Sequence, residues 1–279
     1  MNNIFKSMTR NVETATTAKE VFEHVKLDYT NLSIGICDNI SFDFKFKASA
    51  LDYLKYAQKD IRNVDPQSLI NALSNAKRSI DCLIEMVLRS LSINPDNIGQ
   101  SELDFCACFL SKKEQDVRPY SLRLFSALGF APSFMISEVR NIRNKVEHEF
   151  HIPDEQDVIR AIEVAELLIN NVKAKEIYSA TIDISDIKRY NRLGDGFITG
   201  VYFYKDDFTS DFYLSGSNSK GEKIEYKFKP DDAEYLYLLR AMFTADHDTD
   251  KLENTIYNLL ELMNIKTPSQ HRKINNIHR

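Results

Sequence analysis

The chain has 279 residues, 43% of them hydrophobic and 28% charged, with a formal net charge of −5. That is the profile of a globular protein long enough for one large domain or two ordinary ones, and its acidic balance argues against nonspecific coating of nucleic acid, though not against a local basic pocket. Only 8 glycines and 7 prolines occur, the N-terminus lacks the apolar core of a signal peptide, and no apolar run approaches the roughly 20 residues of a membrane span, so a cytoplasmic protein with no membrane partner is expected.

Residues 1–47 form an N-terminal helix/strand segment. TTAKEVFEHVKL reads as a short helix with Val21, Phe22 and Val25 on one side, and ISFDFKFKA alternates Ile40, Phe42, Phe44 and Phe46 with polar residues, the period of a half-buried strand. Residues 48–176 read as helices. One opens with Asp65 as a cap and Pro66 at its first position, then repeats Leu69, Leu73, Ala76, Ile80, Leu83 and Val87 every three or four places. Further helix is predicted at 120–129 and 132–150, and a last amphipathic helix follows the turn HIPDEQD. Long helices with short connections predict an antiparallel bundle.

Residues 177–279 change period. SATIDI, GFITGVYFYK, SDFYLSG and KIEYKFKP are strand-like, and helical patterns return in DDAEYLYLLRAMF and KLENTIYNLLELM. The fold class is therefore α+β, a helical bundle followed by a smaller α+β domain. Its Tyr and Phe residues suit either core packing or a stacking platform for bases. The basic tail KTPSQHRKINNIHR reads as a solvated end or as an arm that touches RNA. Cys106 and Cys108 form a C-x-C pair with no second Cys or His pair near them, so neither a zinc site nor another metal or cofactor is expected.

The stretch VRNIRNKVEHEF, residues 139–150, concentrates Arg140, Asn141, Arg143, Asn144 and His148. At about 100° per residue, Met135, Val139, Ile142, Val146 and Phe150 fall on one apolar stripe, with Arg143 at its flank and His148 nearly opposite. Asn144 and His148 are neighbours four apart, whereas Arg143 and His148 lie roughly 140° apart. A solvated polar face would explain this. So would function: arginine grips phosphate bidentately, and histidine as a residue type moves protons near neutral pH.

RNKVEH, Arg143 to His148, resembles the R-x4-6-H motif of the HEPN superfamily (higher eukaryotes and prokaryotes nucleotide-binding), including the Asn144 that directly follows the arginine. The resemblance covers about residues 48–176. It implies a HEPN-like bundle acting as a metal-independent endoribonuclease, in bacterial toxin–antitoxin or antiviral defence systems. Arg143 and His148 would be the catalytic pair and Asn144 a polar positioning residue. Two motif helices would face each other in a homodimer, and RNA would be left with 2′,3′-cyclic phosphate ends. Arg140 joins as a substrate-binding residue from its place on the same face. An antitoxin or other defence partner would complete such a system. Some family members carry a tyrosine two residues after the motif histidine, which a partner enzyme modifies with AMP; Phe150 stands there, so silencing by that route is not expected. The alternative is a non-catalytic HEPN module for dimerisation or nucleotide binding, serving as scaffold or sensor.

Overall fold

The computed structural model describes residues 12–37, 41–42, 44–178, 181–188, 199–206, 209, 211–229, 231–244, 249–267 and 273–278. In chain order the elements are β1 (Glu13–Thr14), α1 (Ala18–Val25), β2 (Asn31–Cys37), α2 (Ala50–Asp60), α3 (Pro66–Ser90), α4 (Gln100–Phe109), α5 (Lys112–Gln115), α6 (Tyr120–Ala127), α7 (Ser133–His148) and α8 (Glu155–Tyr178). They continue with β3 (Thr181–Asp186), β4 (Gly200–Lys205), β5 (Phe212–Ser217), β6 (Lys223–Lys227), α9 (Ala233–Thr244), α10 (Thr249–Leu262) and β7 (Lys273–His278). The protein is α+β and divides into two compact units, one made of residues 1–39 with 178–279 and the other of residues 40–177. The N-terminal segment 1–47 is therefore not a region of its own. Its first part is joined to the C-terminal region by strand pairing, and the helical unit is inserted between β2 and β3.

In the first unit, seven strands run in the order β1-β6-β5-β4-β3-β2-β7. The central pairs are antiparallel, while β1 on β6 and β7 on β2 are parallel. The register aligns Ile34 with Ile184, Ile184 with Val201, Ile182 with Phe203, and Phe203 with Leu214, which builds one continuous buried apolar face. Phe203, Phe212, Phe228 and Tyr235 of α9 form an aromatic cluster with ring centroids 5.3–6.1 Å apart. The period of two sends Tyr204 and Tyr213 to the opposite face, where they stack at 5.8 Å and Tyr204 Oη donates to Glu225 Oε1 at 2.7 Å. Phe203, Phe212 and Phe228 thus serve the core together with Tyr226 and Tyr235, while Tyr204 and Tyr213 stand on the other side.

Several strands differ from the sequence reading, β1 and β2 among them, which it did not anticipate. Residues 273–278 of the basic tail form β7, paired with β2, instead of a solvated end. Residues 41–42 and 44–46 are irregular, not a strand; Phe42 is buried against Phe130, at 5.7 Å between ring centroids, while Phe44 is exposed. Ile40 lies outside the described residues.

In the second unit the predicted Asp65 cap is present, and a further cap is found on α2. Asp65 Oδ1 accepts from the backbone N–H groups of Gln67 and Ser68, and Ser49 and Asp52 form a reciprocal capping box on α2. All six apolar positions expected on α3, Leu69 to Val87, are buried. Asn75 bonds Asp60 and Ser79 bonds the Ala50 carbonyl, so α2 and α3 run antiparallel. Helices α6 and α7 pack beside α3. Among the described residues no helix is long and apolar enough to cross a membrane.

Candidate functional site

The site is built where α7 meets α3. Asp81 on α3 accepts from Arg140 Nη2 at 2.7 Å and from Lys77 Nζ at 2.5 Å, one carboxylate between two cations. Arg140 Nη1 also donates to the Arg118 carbonyl at 3.3 Å. Arg140 is thus a tie between elements as well as a lining residue, with Nη1 and Nη2 each engaged and its buried Nε without a partner.

Arg143 lies closer to the core than expected. Among the residues of α7 whose burial is described, Ile136 and Val139 are fully buried, so the buried face is rotated by about 50° towards Arg143 from the stripe read in the sequence. The Arg143 side chain is 18% exposed and pairs with Glu147 one turn on, and its Nε is buried with no acceptor. Burial, and then the neighbouring Arg78, push its pKa below the ordinary arginine value, with Asp81 opposing.

The second half of the stripe does not pack. Ile142 and Val146 are half-buried, and Phe150 is 89% exposed. The reason is the helix end: α7 stops at His148, and Phe150 takes a left-handed backbone with φ 54°, so the helical period no longer carries its side chain to the core. Asn144 and His148 are exposed, and His148 makes no hydrogen bond or ion pair among the described residues. The chain therefore brings Arg140, Asn141 and Asn144 together at one groove but does not bring Arg143 to His148.

Two grooves flank Arg140. One, of about 450 Å³, is lined by Lys77, Asp116, Arg118, Ser137, Arg140, Asn141 and Asn144. The other, of about 600 Å³, is walled by Ile84, Pro95, Ile98, Pro119 and Tyr120, with Asp81, Glu85, Asp96 and Asn97 supplying polar groups. The Arg118 guanidinium lies over the Tyr120 ring at 3.9 Å, and that of Arg123 at 4.8 Å. Lys77, Asp81 and Arg118 were not singled out from the sequence. They come from α3 and the α5–α6 connection, and no local pattern links them to α7. Among the described residues no group of three or more His, Cys, Asp or Glu side chains is placed to hold a metal ion. Burial pushes the Cys106 thiol up to about 12.

Fold and site together define an α+β protein whose inserted helical unit presents an Arg/Asn/His helix beside a basic groove. Comparison with protein-family models, curated proteins and solved structures finds no match to the chain.

Proposed function

We propose that the chain is a metal-independent endoribonuclease of the HEPN type, acting in the cytoplasm as a homodimer through its helical unit, in a bacterial toxin or antiviral defence system. The observation that carries this reading is the open end of α7. Asn144 and His148 stand in solvent, and the apolar Phe150 and Ile152 beside them are uncovered, at 89% and 52% exposure. A second α7 packed on that end would cover the apolar pair and supply the proximity that Arg143 and His148 lack within one chain.

In this reading the His148 imidazole takes the proton of an RNA 2′-hydroxyl. The O2′–P bond forms, the P–O5′ bond breaks, and the departing 5′-oxygen takes up a proton, leaving a 2′,3′-cyclic phosphate and a 5′-hydroxyl. Arg143 balances the charge that builds on the phosphate, and Asn144 orients it. An antitoxin or defence partner would hold the activity in check. One observation favours the second reading, a non-catalytic dimerisation or nucleotide-binding module: Arg143 is half-buried and engaged with Glu147.

The two separate in one assay. Purified protein is incubated with total RNA in EDTA, and the new ends are analysed. Cyclic phosphate ends from wild type, reduced roughly 10²–10⁴-fold by His148→Ala, are expected for the enzyme. Equal cleavage by His148→Ala, or none by wild type, leaves the scaffold reading.

A further inference from the structure

Helix α7 carries a polar line that the apolar pattern conceals. Ser137, Asn141, Asn144 and His148 fall within about 60° of one another and span about 16 Å along the axis. The first three line the smaller groove, and His148 continues their line beyond it. Arg118 lines the same groove, exposed and with its guanidinium carbon 3.9 Å from the centre of the Tyr120 ring. A guanidinium held by a ring is restrained without using up its N–H donors, and its planar fork suits a phosphate.

The local charge runs against that of the whole chain, which is −5. Lys77 and Arg140 share the single carboxylate of Asp81, Arg118 makes no ion pair among the described residues, and only Asp116 adds an opposing charge to the groove. The Ser137 hydroxyl and the neutral amides of Asn141 and Asn144 complete the groove. Amides and guanidinium groups together suit phosphate and sugar oxygens. The larger groove, which shares Arg140, offers the apolar walls of Pro95, Ile98, Pro119 and Tyr120, room for a base, and its carboxylates are paired, Glu85 and Asp96 with Arg89 and Asp81 with Lys77 and Arg140. Phosphate-holding and base-holding surfaces that meet at one residue make a trough, a shape that suits a strand better than a compact metabolite.

We propose that this trough holds a single RNA strand, with its phosphates against Arg118, Lys77 and Asn141 and its path directed along α7 to His148. The proposal rests on the ribonuclease reading for its direction but not for its binding chemistry. It adds Arg118, Lys77 and Asn141 as positioning residues remote from the reacting atoms.

The test is fluorescence anisotropy of a labelled 2′-O-methyl oligoribonucleotide, which binds but cannot be cleaved, over a range of salt. The proteins are the full chain, Arg118→Ala, Lys77→Gln and, as a charge-matched control in the sheet unit, Lys220→Ala. The two groove variants are expected to bind roughly tenfold more weakly and to flatten the slope of log K against log salt by about 0.7 each, the value of one lost phosphate contact on a single strand. Lys220→Ala should do neither. Lys77 also pairs with Asp81, so thermal melts accompany each variant; Arg118 is exposed, and its removal opens no core. Wild-type affinity and slope in Arg118→Ala, or an equal loss in Lys220→Ala, overturns the trough. So does AMP displacing the oligonucleotide at concentrations near the oligonucleotide's own Kd, because the site would then hold a nucleotide and not a strand. Since the probe is uncleavable, groove-dependent binding without cleavage of ordinary RNA sinks the ribonuclease reading alone, and cleavage with groove-independent binding sinks the trough alone.

Discussion

At the scale of the residue, Arg143 shows how an apolar stripe can mislead. Counting it as polar places it outside the packed face, yet its methylene stem packs while the guanidinium turns to Glu147. The buried face then includes a charge whose Nε has no acceptor, with Arg78 nearby to oppose it. Holding such a group costs stability, so Arg143→Met, which keeps the stem and removes the charge, is expected to melt at or above the wild-type temperature. Arg143→Ala, which also removes the packing, should lose about 1–2 kcal/mol. Both should lose RNA cleavage by at least roughly 10²-fold if the guanidinium balances phosphate charge, and Arg143→Lys should recover little of it, since a point charge cannot reproduce the planar fork. Melts and single-turnover cleavage on the same samples decide the matter. A destabilised methionine variant would mean that the ion pair with Glu147 holds the helix in place. Phe150 is the complementary case. Its assignment to the core extended the helical period two residues past the helix end, and a left-handed phenylalanine is not a conformation that periodicity can anticipate.

At the scale of the element, what was legible is what is locally encoded. The Asp65 cap and the stripe of α3 lie within one segment, and the four strands between 181 and 227 alternate and are separated by turn residues. Strands β2 and β7 escaped because their partners are distant in the chain, β3 and β7 for β2 and β2 for β7. KINNIH has no clean alternation, and its partner NLSIGIC lies at the other end of the chain. The stretch 41–46 shows the converse, since alternation is a permissive signal and Phe42 found a buried place against Phe130 without any strand. Close packing between elements is equally invisible. A Cβ at Gly216 would lie 2.8 Å from Val21 Cγ1 and 2.9 Å from Val25 Cγ2, so α1 rests on the bare backbone of β5. Strand propensity favours alanine over glycine there. Overpacking decides otherwise, and Gly216→Ala should lose about 1–3 kcal/mol in urea titrations of the intact chain. An unchanged midpoint would show that α1 shifts without penalty.

At the scale of the molecule, the helical unit interrupts a β-hairpin. Cys37 and Thr181, the last residue of β2 and the first of β3, are register partners, so the chain leaves the sheet and returns to it at neighbouring points. Reading the sequence in order gave three consecutive regions, because nothing local announces that residues 1–39 belong with 178–279. Each unit holds about 140 residues, a size at which a single core ordinarily suffices. Insertions at a hairpin end are tolerated because few contacts depend on the connection. Each part should therefore fold without the other. Residues 40–177 as a separate polypeptide are expected to unfold cooperatively, to sediment as a dimer at micromolar concentration, and to cleave RNA in EDTA in a His148-dependent way. The sheet unit, with a short turn joining residues 37 and 181 in place of the insertion, is expected to fold and to leave RNA intact, since the motif helix is gone. Circular dichroism melts, sedimentation and end-group analysis read the three properties. A strictly monomeric helical unit would remove the composite site, and a sheet unit that cleaves would move the chemistry away from α7 altogether. If the helical unit is folded and dimeric yet cleaves only when the sheet is restored, the chemistry stays on α7 and the sheet is needed to bring the substrate or to license the cut.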